Sequence, residues 1–289
     1  MPIPEALACA VAAAQAAGAV MRDNRHAKKR IHASTQHDIK LELDVRCQKL
    51  IERTLRRAFP QVAILGEEGV LGDPQAPWRW VVDPIDGTVN FTCGIPHACV
   101  SIALQVEISQ LPGPGAGGPS RAPGSWSGYR SVVGVVYDPF SDEMWTAVQG
   151  QPARLNGRAI HVSDRRKLRE AIVSIGFAND RATLEKMLST FNALVHRVRK
   201  IRIMGAAALG LSYVASGRMD AYIEYGLSLW DIAAGGLIIE CAGGEFFHQP
   251  IPGTGKYQII ASNGLLRKPL QRVPTPAERR RASPARTAS

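Results

Sequence analysis

Apolar positions along the chain change their period twice, and the predicted elements change with them. Residues 4–22 are rich in alanine and predict a helix, with Pro4 in its first turn. Residues 23–37 are polar and basic and read as a mobile connection. Leu43, Cys47, Leu50, Ile51, Leu55 and Phe59 then recur at helical spacing, which predicts an amphipathic helix ending at Pro60. Val62-Ala63-Ile64-Leu65 is a short apolar strand running into Gly66-Glu67-Glu68-Gly69. Trp80-Val81-Val82 closes a second strand, and residues 97–106 make a third. Ten of the twenty residues in 109–128 are Pro or Gly, so this segment reads as a flexible loop between strands. Residues 132–137 resume the sheet, and residues 143–148 with the Asn156-Gly157 pair predict a hairpin.

Beyond residue 152 short strands alternate with helices. The strands are expected at 171–175, 200–203, 220–224, 245–247 and 258–261, and the helices at 181–198, 206–216 and 231–242. This change of pattern divides the chain into an N-terminal α+β domain over 1–152, a C-terminal α/β domain over 153–266 and a disordered tail over 267–289. No internal repeat is visible.

Composition narrows the class. With 289 residues, 45% of them hydrophobic and 21% charged, the chain reads as a soluble globular protein with a substantial core. A net charge of +10 would suit nucleic acid, but only +4 of it falls on residues 1–264, because the Pro- and Arg-rich tail holds the rest. Binding of nucleic acid is therefore not expected of the globular part. Five scattered cysteines without a CxxC pair argue against a disulfide framework or zinc and for a reducing compartment. The Ala-rich run at the N-terminus lacks the order of a signal peptide and reads as too short and too weakly apolar to span a bilayer. A cytoplasmic protein without membrane attachment is expected.

Candidate chemistry centres on Asp83-Pro84-Ile85-Asp86-Gly87-Thr88. Pro84 fixes its own φ and extends Asp83, and Gly87 can take backbone angles that other residues avoid. Carboxylates held this close repel one another, so a folded site needs protons or a cation between them. The same composition suits a solvated turn. Glu67 follows the neighbouring strand and could join the pair. Asp231 opens a small-residue helix, either as an N-cap or as a further ligand. Four carboxylates without His or Cys favour Mg²⁺ over zinc or copper.

Three stretches, Gly66-Glu67-Glu68, Asp83-Pro84-Ile85-Asp86-Gly87-Thr88 and Trp230-Asp231-Ile232-Ala233-Ala234-Gly235, closely resemble the signature motifs of the inositol monophosphatase family, Mg²⁺-dependent and lithium-sensitive sugar phosphatases. The likeness covers about residues 5–265, with the motifs in order and at ordinary separations. It implies a layered αβαβα fold, hydrolysis of a phosphate monoester by water activated between two metals, and commonly a homodimer. Carried over residue by residue, it makes Glu67, Asp83, the carbonyl of Ile85, Asp86 and Asp231 metal ligands. Thr88 and Asp44 match the pair that orients the attacking water, together with Glu67. Glu224 matches a carboxylate that contacts substrate hydroxyls, and Gly87 and Thr88 offer N–H groups to the phosphate. Ile85, Asp86 and Asp231 also border the substrate.

Departures from the family pattern spare the ligands. Leu41 stands where a threonine is usual, Ala206 where many members carry Thr or Ser, Ala33 where a lysine is common, and Gly69 where a serine is frequent. Thr88-Val89-Asn90-Phe91 looks most like the inositol monophosphatase branch, which points to inositol 1-phosphate. Fructose 1,6-bisphosphate, histidinol phosphate and 3′-phosphoadenosine 5′-phosphate are the alternatives within the family. An alternative of another class is an RNA- or transcription-associated protein that uses Arg279-Arg280-Arg281. His97, His161, His196 and His248 lack ligand spacing and read as structural or surface residues, and Trp230 is expected to brace Asp231.

Overall fold

The computed structural model describes residues 1–27, 31–34, 39–110, 128–177 and 181–271. Helix α1 (Ile3–Asp23) leads to a two-stranded ribbon of β1 (Ile31–Ser34) and β2 (Ile39–Leu41), then to α2 (Glu42–Ala58). The large sheet collects β3 (Ala63–Gly66), β4 (Gly69–Leu71), β5 (Trp78–Asp86), β6 (Cys99–Glu107), β7 (Tyr129–Asp138), β8 (Glu143–Val148), β9 (Arg154–Leu155) and β10 (Arg158–Ala159). Its order is β10-β9-β8-β7-β6-β5-β3-β4, antiparallel except for the parallel pair β3–β5. Helix α3 (Thr88–Thr92) sits between β5 and β6. The second half supplies β11 (Ile172–Ile175), α4 (Arg181–Leu194), β12 (Lys200–Arg202), α5 (Ala207–Ala215), β13 (Ala221–Leu227), α6 (Leu229–Cys241), β14 (Glu245–Ile251), β15 (Lys256–Ser262) and α7 (Arg267–Gln271). Its five strands are ordered β12-β11-β13-β15-β14.

Alternation along the central strands explains the layering. Trp80 and Val82 pack with α1 and α2 on one face of the large sheet, whereas Val81 packs with α5 and α6 on the other. Both faces of β5 are covered, which is why Trp80-Val81-Val82 within it reads as an unbroken apolar run. On the small sheet Tyr222 faces α5 and α6, while Ala221 and Ile223 face α4 and α7 through Met187, Leu194 and Leu270. The layers are therefore αβαβα. Helix α6 lies in the middle, and glycines allow its close contacts. A Cβ at Gly134 on β7 would lie 2.8 Å from the Ala234 carbonyl, and one at Gly236 would lie 2.6 Å from the ring of Phe246 on β14.

Several boundaries differ from expectation. The connection after α1 contains β1, which pairs with β2, although residues 28–30 and 35–38, including the charged run Lys28–Arg30, lie outside the described residues. At 21 residues, α1 is long and apolar enough to cross a membrane by composition, contrary to the reading of its sequence. Here its Ala6, Ala10, Ala13, Ala14, Ala17 and Met21 face is buried against the large sheet and α2. The large sheet also runs past residue 152, because β9 pairs with β8 and joins β10 through Asn156 and Gly157, both at positive φ. Residues 111–127 of the Pro/Gly loop and 272–289 of the tail lie outside the described residues. Residues 267–271, expected as tail, form α7, where Leu270 is buried.

Candidate active site

Parallel pairing of β3 with β5 sets Gly66 opposite Val82, so the next residues, Glu67 just past β3 and Asp83 still within β5, stand side by side. The Glu67 amide donates to the Val82 carbonyl at 3.1 Å, and the two carboxyl groups share a hydrogen bond. Behind this turn stands Gln48 of α2, which the sequence reading passed over. Its Oε1 accepts from the Glu68 amide at 2.8 Å, its Nε2 donates to the Gly69 carbonyl at 3.2 Å, and its carboxamide fills the space a Cβ at Gly66 would need. A buried glutamine on an amphipathic helix carries no signal that distinguishes it from core filler.

The acidic stretch is not a loop after the strand. It is the end of β5 itself, with a bulge between Asp83 and Asp86 that accommodates Pro84. Within the bulge Asp83 Oδ1 accepts from the Ile85 amide at 3.0 Å, and the strand stops at Gly87 with φ of 89°. Gly87 packs beneath the His97 carbonyl and Ala206, where a Cβ would come within 2.9 Å of the carbonyl. Thr88 then opens α3, and its hydroxyl donates to the Ile85 carbonyl at 2.9 Å. That bond closes the turn on itself, with donor and acceptor three residues apart.

Asp44, Asp86 and Asp231 each meet the start of a helix. Asp44 Oδ2 accepts from the Leu41 amide at 2.7 Å at the head of α2, and Asp231 Oδ2 accepts from the Ser228 amide at 2.7 Å at the head of α6. Asp231 is therefore the third residue of α6 in a capping box with Ser228, not its N-cap. Asp86 receives the first amides of α5 from outside, Ala207 at 3.1 Å on Oδ1 and Ala208 at 2.7 Å on Oδ2, with the Cys99 thiol at 3.5 Å. Leu41 and Ala206, where the family pattern would place hydroxyls, are the N-caps of α2 and α5. The capping that a Ser or Thr would give falls to Asp86 at α5, whereas Asp44 accepts from the amide of the N-cap residue itself at α2. Three helix N-termini converge on one acidic cluster, and their dipoles offset part of its charge.

Glu224 joins from the small sheet. It projects from β13 on the same side as Tyr222, whose hydroxyl donates to Glu224 Oε2. Asn90, used above as a substrate hint, has a structural role as well: its amide donates to the carbonyls of His97 at 2.9 Å and Met204 at 2.8 Å, linking α3 to the approach to α5.

Electrostatics show what the cluster lacks. Burial, then the neighbouring Asp231, pushes Glu67 up to about 8, and burial with Glu67 beside it raises Asp83 well above the carboxylate range. Burial raises Asp86 to about 6 against the pull of the Ala208 and Ala207 amides, and burial raises Glu224 to about 8. Among the described residues no three carboxylate, imidazole or thiol groups already close around one point at ligand spacing. The donors fit a hard divalent cation all the same. Glu67, Asp83, Asp86, Asp231 and the Ile85 carbonyl offer oxygen only and would hold such a cation, which would supply the positive charge that these buried carboxyls otherwise take from protons.

Comparisons with known proteins identify the family and the fold. The model of the inositol monophosphatase family matches residues 4–112 and 128–269. "Nus factor SuhB" of Xylella fastidiosa is 37% identical over 276 residues, covering 91% of this chain and 92% of that protein. The inositol monophosphatase of Mesembryanthemum crystallinum is 36% identical over 281 residues, covering 92% and 94%. Among solved structures, inositol monophosphatase from Anabaena superposes with a TM-score of 0.77 at 33% identity, covering 96% of this chain and 99% of that one. The extragenic suppressor protein suhB from Bartonella henselae gives 0.79 at 32%, covering 93% and 98%. With Glu67, Asp83, Asp86 and Asp231 gathered from both halves of such a fold, the chain belongs to the inositol monophosphatase family of phosphatases.

Proposed function

We propose that this chain is a Mg²⁺-dependent phosphomonoesterase whose preferred substrate is an inositol monophosphate. The observation that carries the substrate reading is Glu224, a buried carboxylate close enough to Asp86 and Asp231 to feel their charge, on the wall that the small sheet adds to the site. A carboxylate there accepts hydrogen bonds from the hydroxyls of a polyol. Glu67, Asp83, Asp86, Asp231 and the Ile85 carbonyl would hold the metal. Bound Mg²⁺ supplies charge neutralisation and lowers the pKa of water, the main needs of phosphoryl transfer. The remaining work belongs to the chain. Thr88, its proton given to Ile85, keeps lone pairs that orient an attacking water, while Asp44 braces the head of α2 beside Glu67. Glu67 takes that water's proton, and the Gly87 and Thr88 amides orient the phosphate.

A phosphate-release panel with Mg²⁺ tests the choice, comparing inositol 1-phosphate, fructose 1,6-bisphosphate, histidinol phosphate and 3′-phosphoadenosine 5′-phosphate. The highest kcat/KM is expected for the inositol ester. A strong preference for the adenosine compound would overturn it.

Two partners follow. A homodimer is supported by the exposed apolar residues Val89, Ile95 and Ile203, at 43%, 50% and 56%, of which Val89 and Ile203 adjoin the hydrogen-bonded pair Asn90 and Met204 in sequence. Light scattering should give twice the chain mass, reduced to one by Ile203→Asp. The second reading, of a transcription-associated role, is favoured by relatives named Nus factor SuhB at 35–40% identity. Because Leu270 is buried, its test removes only residues 272–289. Loss of RNA binding with hydrolysis intact supports that role, and unchanged RNA binding opposes it. A reducing cytoplasm suits the five thiols, all of them free.

A further inference from the structure

Glu224 does not hold its place by backbone geometry alone. Tyr222, two residues earlier on β13, shares its face of the strand and donates its hydroxyl to Glu224 Oε2. Both side chains are buried. The tyrosine ring packs in turn under α5, next to Gly210, where even a Cβ would meet it only at ordinary contact distance, 3.5 Å. On the neighbouring parallel strand, Gly176 follows the end of β11 and donates its amide to the Ile223 carbonyl at 3.2 Å. The Glu224 carboxyl lies over the α-carbon of Gly176, so closely that a Cβ would fall 1.6 Å from Oε2, 2.0 Å from Cδ and 2.5 Å from Oε1. No side chain other than hydrogen fits at that position while Glu224 keeps its present rotamer.

We infer that Tyr222 and Gly176 are positioning residues for substrate recognition: Gly176 opens the slot in which the Glu224 carboxyl lies, and the Tyr222 hydroxyl locks one oxygen so that the other is presented to a substrate hydroxyl. The inference rests on the reading of Glu224 as the contact to a polyol. A free carboxyl side chain samples several rotamers and loses that freedom on binding; one already fixed by a hydrogen bond does not. The two residues therefore act on affinity for the alcohol portion of the substrate, not on cleavage of the phosphate ester.

The test compares inositol 1-phosphate with p-nitrophenyl phosphate, a monoester without aliphatic hydroxyls, in the full chain with saturating Mg²⁺. Tyr222→Phe keeps the ring and removes only the hydroxyl. It is expected to raise KM for inositol 1-phosphate about tenfold, with kcat within about twofold and the p-nitrophenyl phosphate constants unchanged. Gly176→Ala is expected to match Glu224→Gln, since it drives the carboxyl out of its slot. In a double-mutant cycle, Tyr222→Phe with Glu224→Gln should be no worse than Glu224→Gln alone. Additive losses, or equal losses on both substrates, would overturn the positioning role. Should Gly176→Ala fail to fold, the tyrosine cycle still decides. Failure of the underlying reading looks different: Glu224→Gln would then leave discrimination between the two substrates unaltered.

Discussion

The side-chain amide of Asn90 donates to the Met204 carbonyl across 114 residues of sequence, at 2.8 Å, and joins the helix after the acidic stretch to the segment leading into α5. Because α5 in turn donates its first amides to Asp86, Asn90 sets how the second half of the chain meets that carboxylate. Asn90→Ala leaves the His97 and Met204 carbonyls short of a donor at a partly buried junction. It should cost about 1–3 kcal/mol of stability and lower kcat more than it raises KM for substrate. Thermal unfolding and steady-state kinetics read the two effects. Unchanged values in both would remove Asn90 from the junction.

Asp83→Asn replaces a buried carboxylate by a neutral group of the same size, beside Glu67. Activity should fall to near background at any Mg²⁺ concentration. The fold should persist, since the Oδ1 bond to the Ile85 amide can still be made. Circular dichroism and phosphate release together check this, and near-normal turnover at saturating Mg²⁺ would contradict the assignment of Asp83 as a ligand.

Protons and Mg²⁺ should compete for the cluster. Glu67 and Glu224 are both raised to about 8 in the folded protein, so the folded state keeps protons that the unfolded state has already released. Stability contributed by these groups is then full below the ordinary glutamate value and is lost as pH rises towards about 8. In EDTA the melting temperature is expected to fall from pH 5 to pH 8 over that window. Added Mg²⁺ requires the deprotonated carboxylates, so its stabilisation should grow over the same range. A metal-free melting temperature that rises with pH would refute the account.

Gly66→Ala tests the support behind Glu67. The new Cβ would sit 2.4 Å from Gln48 Oε1 and push the glutamine off the Glu68 amide. The Mg²⁺ concentration for half-maximal activity should rise by roughly tenfold, with kcat largely recovered at high Mg²⁺, alongside a loss of about 1–3 kcal/mol in stability. Titration of activity with Mg²⁺ separates this from a simple loss of folded protein.

Much of this architecture was legible in the residues because local pattern and tertiary demand coincide. The alternation around Trp80–Val82, the period of α2 and the Asn156-Gly157 turn each serve both. The acidic cluster was legible through its motifs, since no spacing rule brings Asp231 to Asp83. What escaped notice falls into two kinds. Gln48, Tyr222 and Gly176 act through contacts between distant elements and have ordinary local environments. The extent of β5 through Pro84 escaped because proline and aspartate disfavour strands, and a bulge overrides that preference only when both neighbouring strands already exist. The bond of the Thr88 hydroxyl to the Ile85 carbonyl is likewise invisible in the sequence, because it depends on the turn that the bulge creates.

The seat of α6 between the two sheets has a consequence for how such a protein can diverge. Gly134 and Gly236 bring this helix against β7 on one side and β14 on the other, and Asp231 rides at its head. Asp231 is thereby gauged to both sheets at once. Its distance to Asp83 and Asp86 measures the large sheet, and its distance to Glu224 measures the small one. A shift of the whole small sheet would disturb catalysis and recognition together, whereas a change confined to β13 and its Gly176 slot would alter recognition alone. The fold thus leaves its substrate preference free to drift along one strand while the ester-cleaving centre stays pinned.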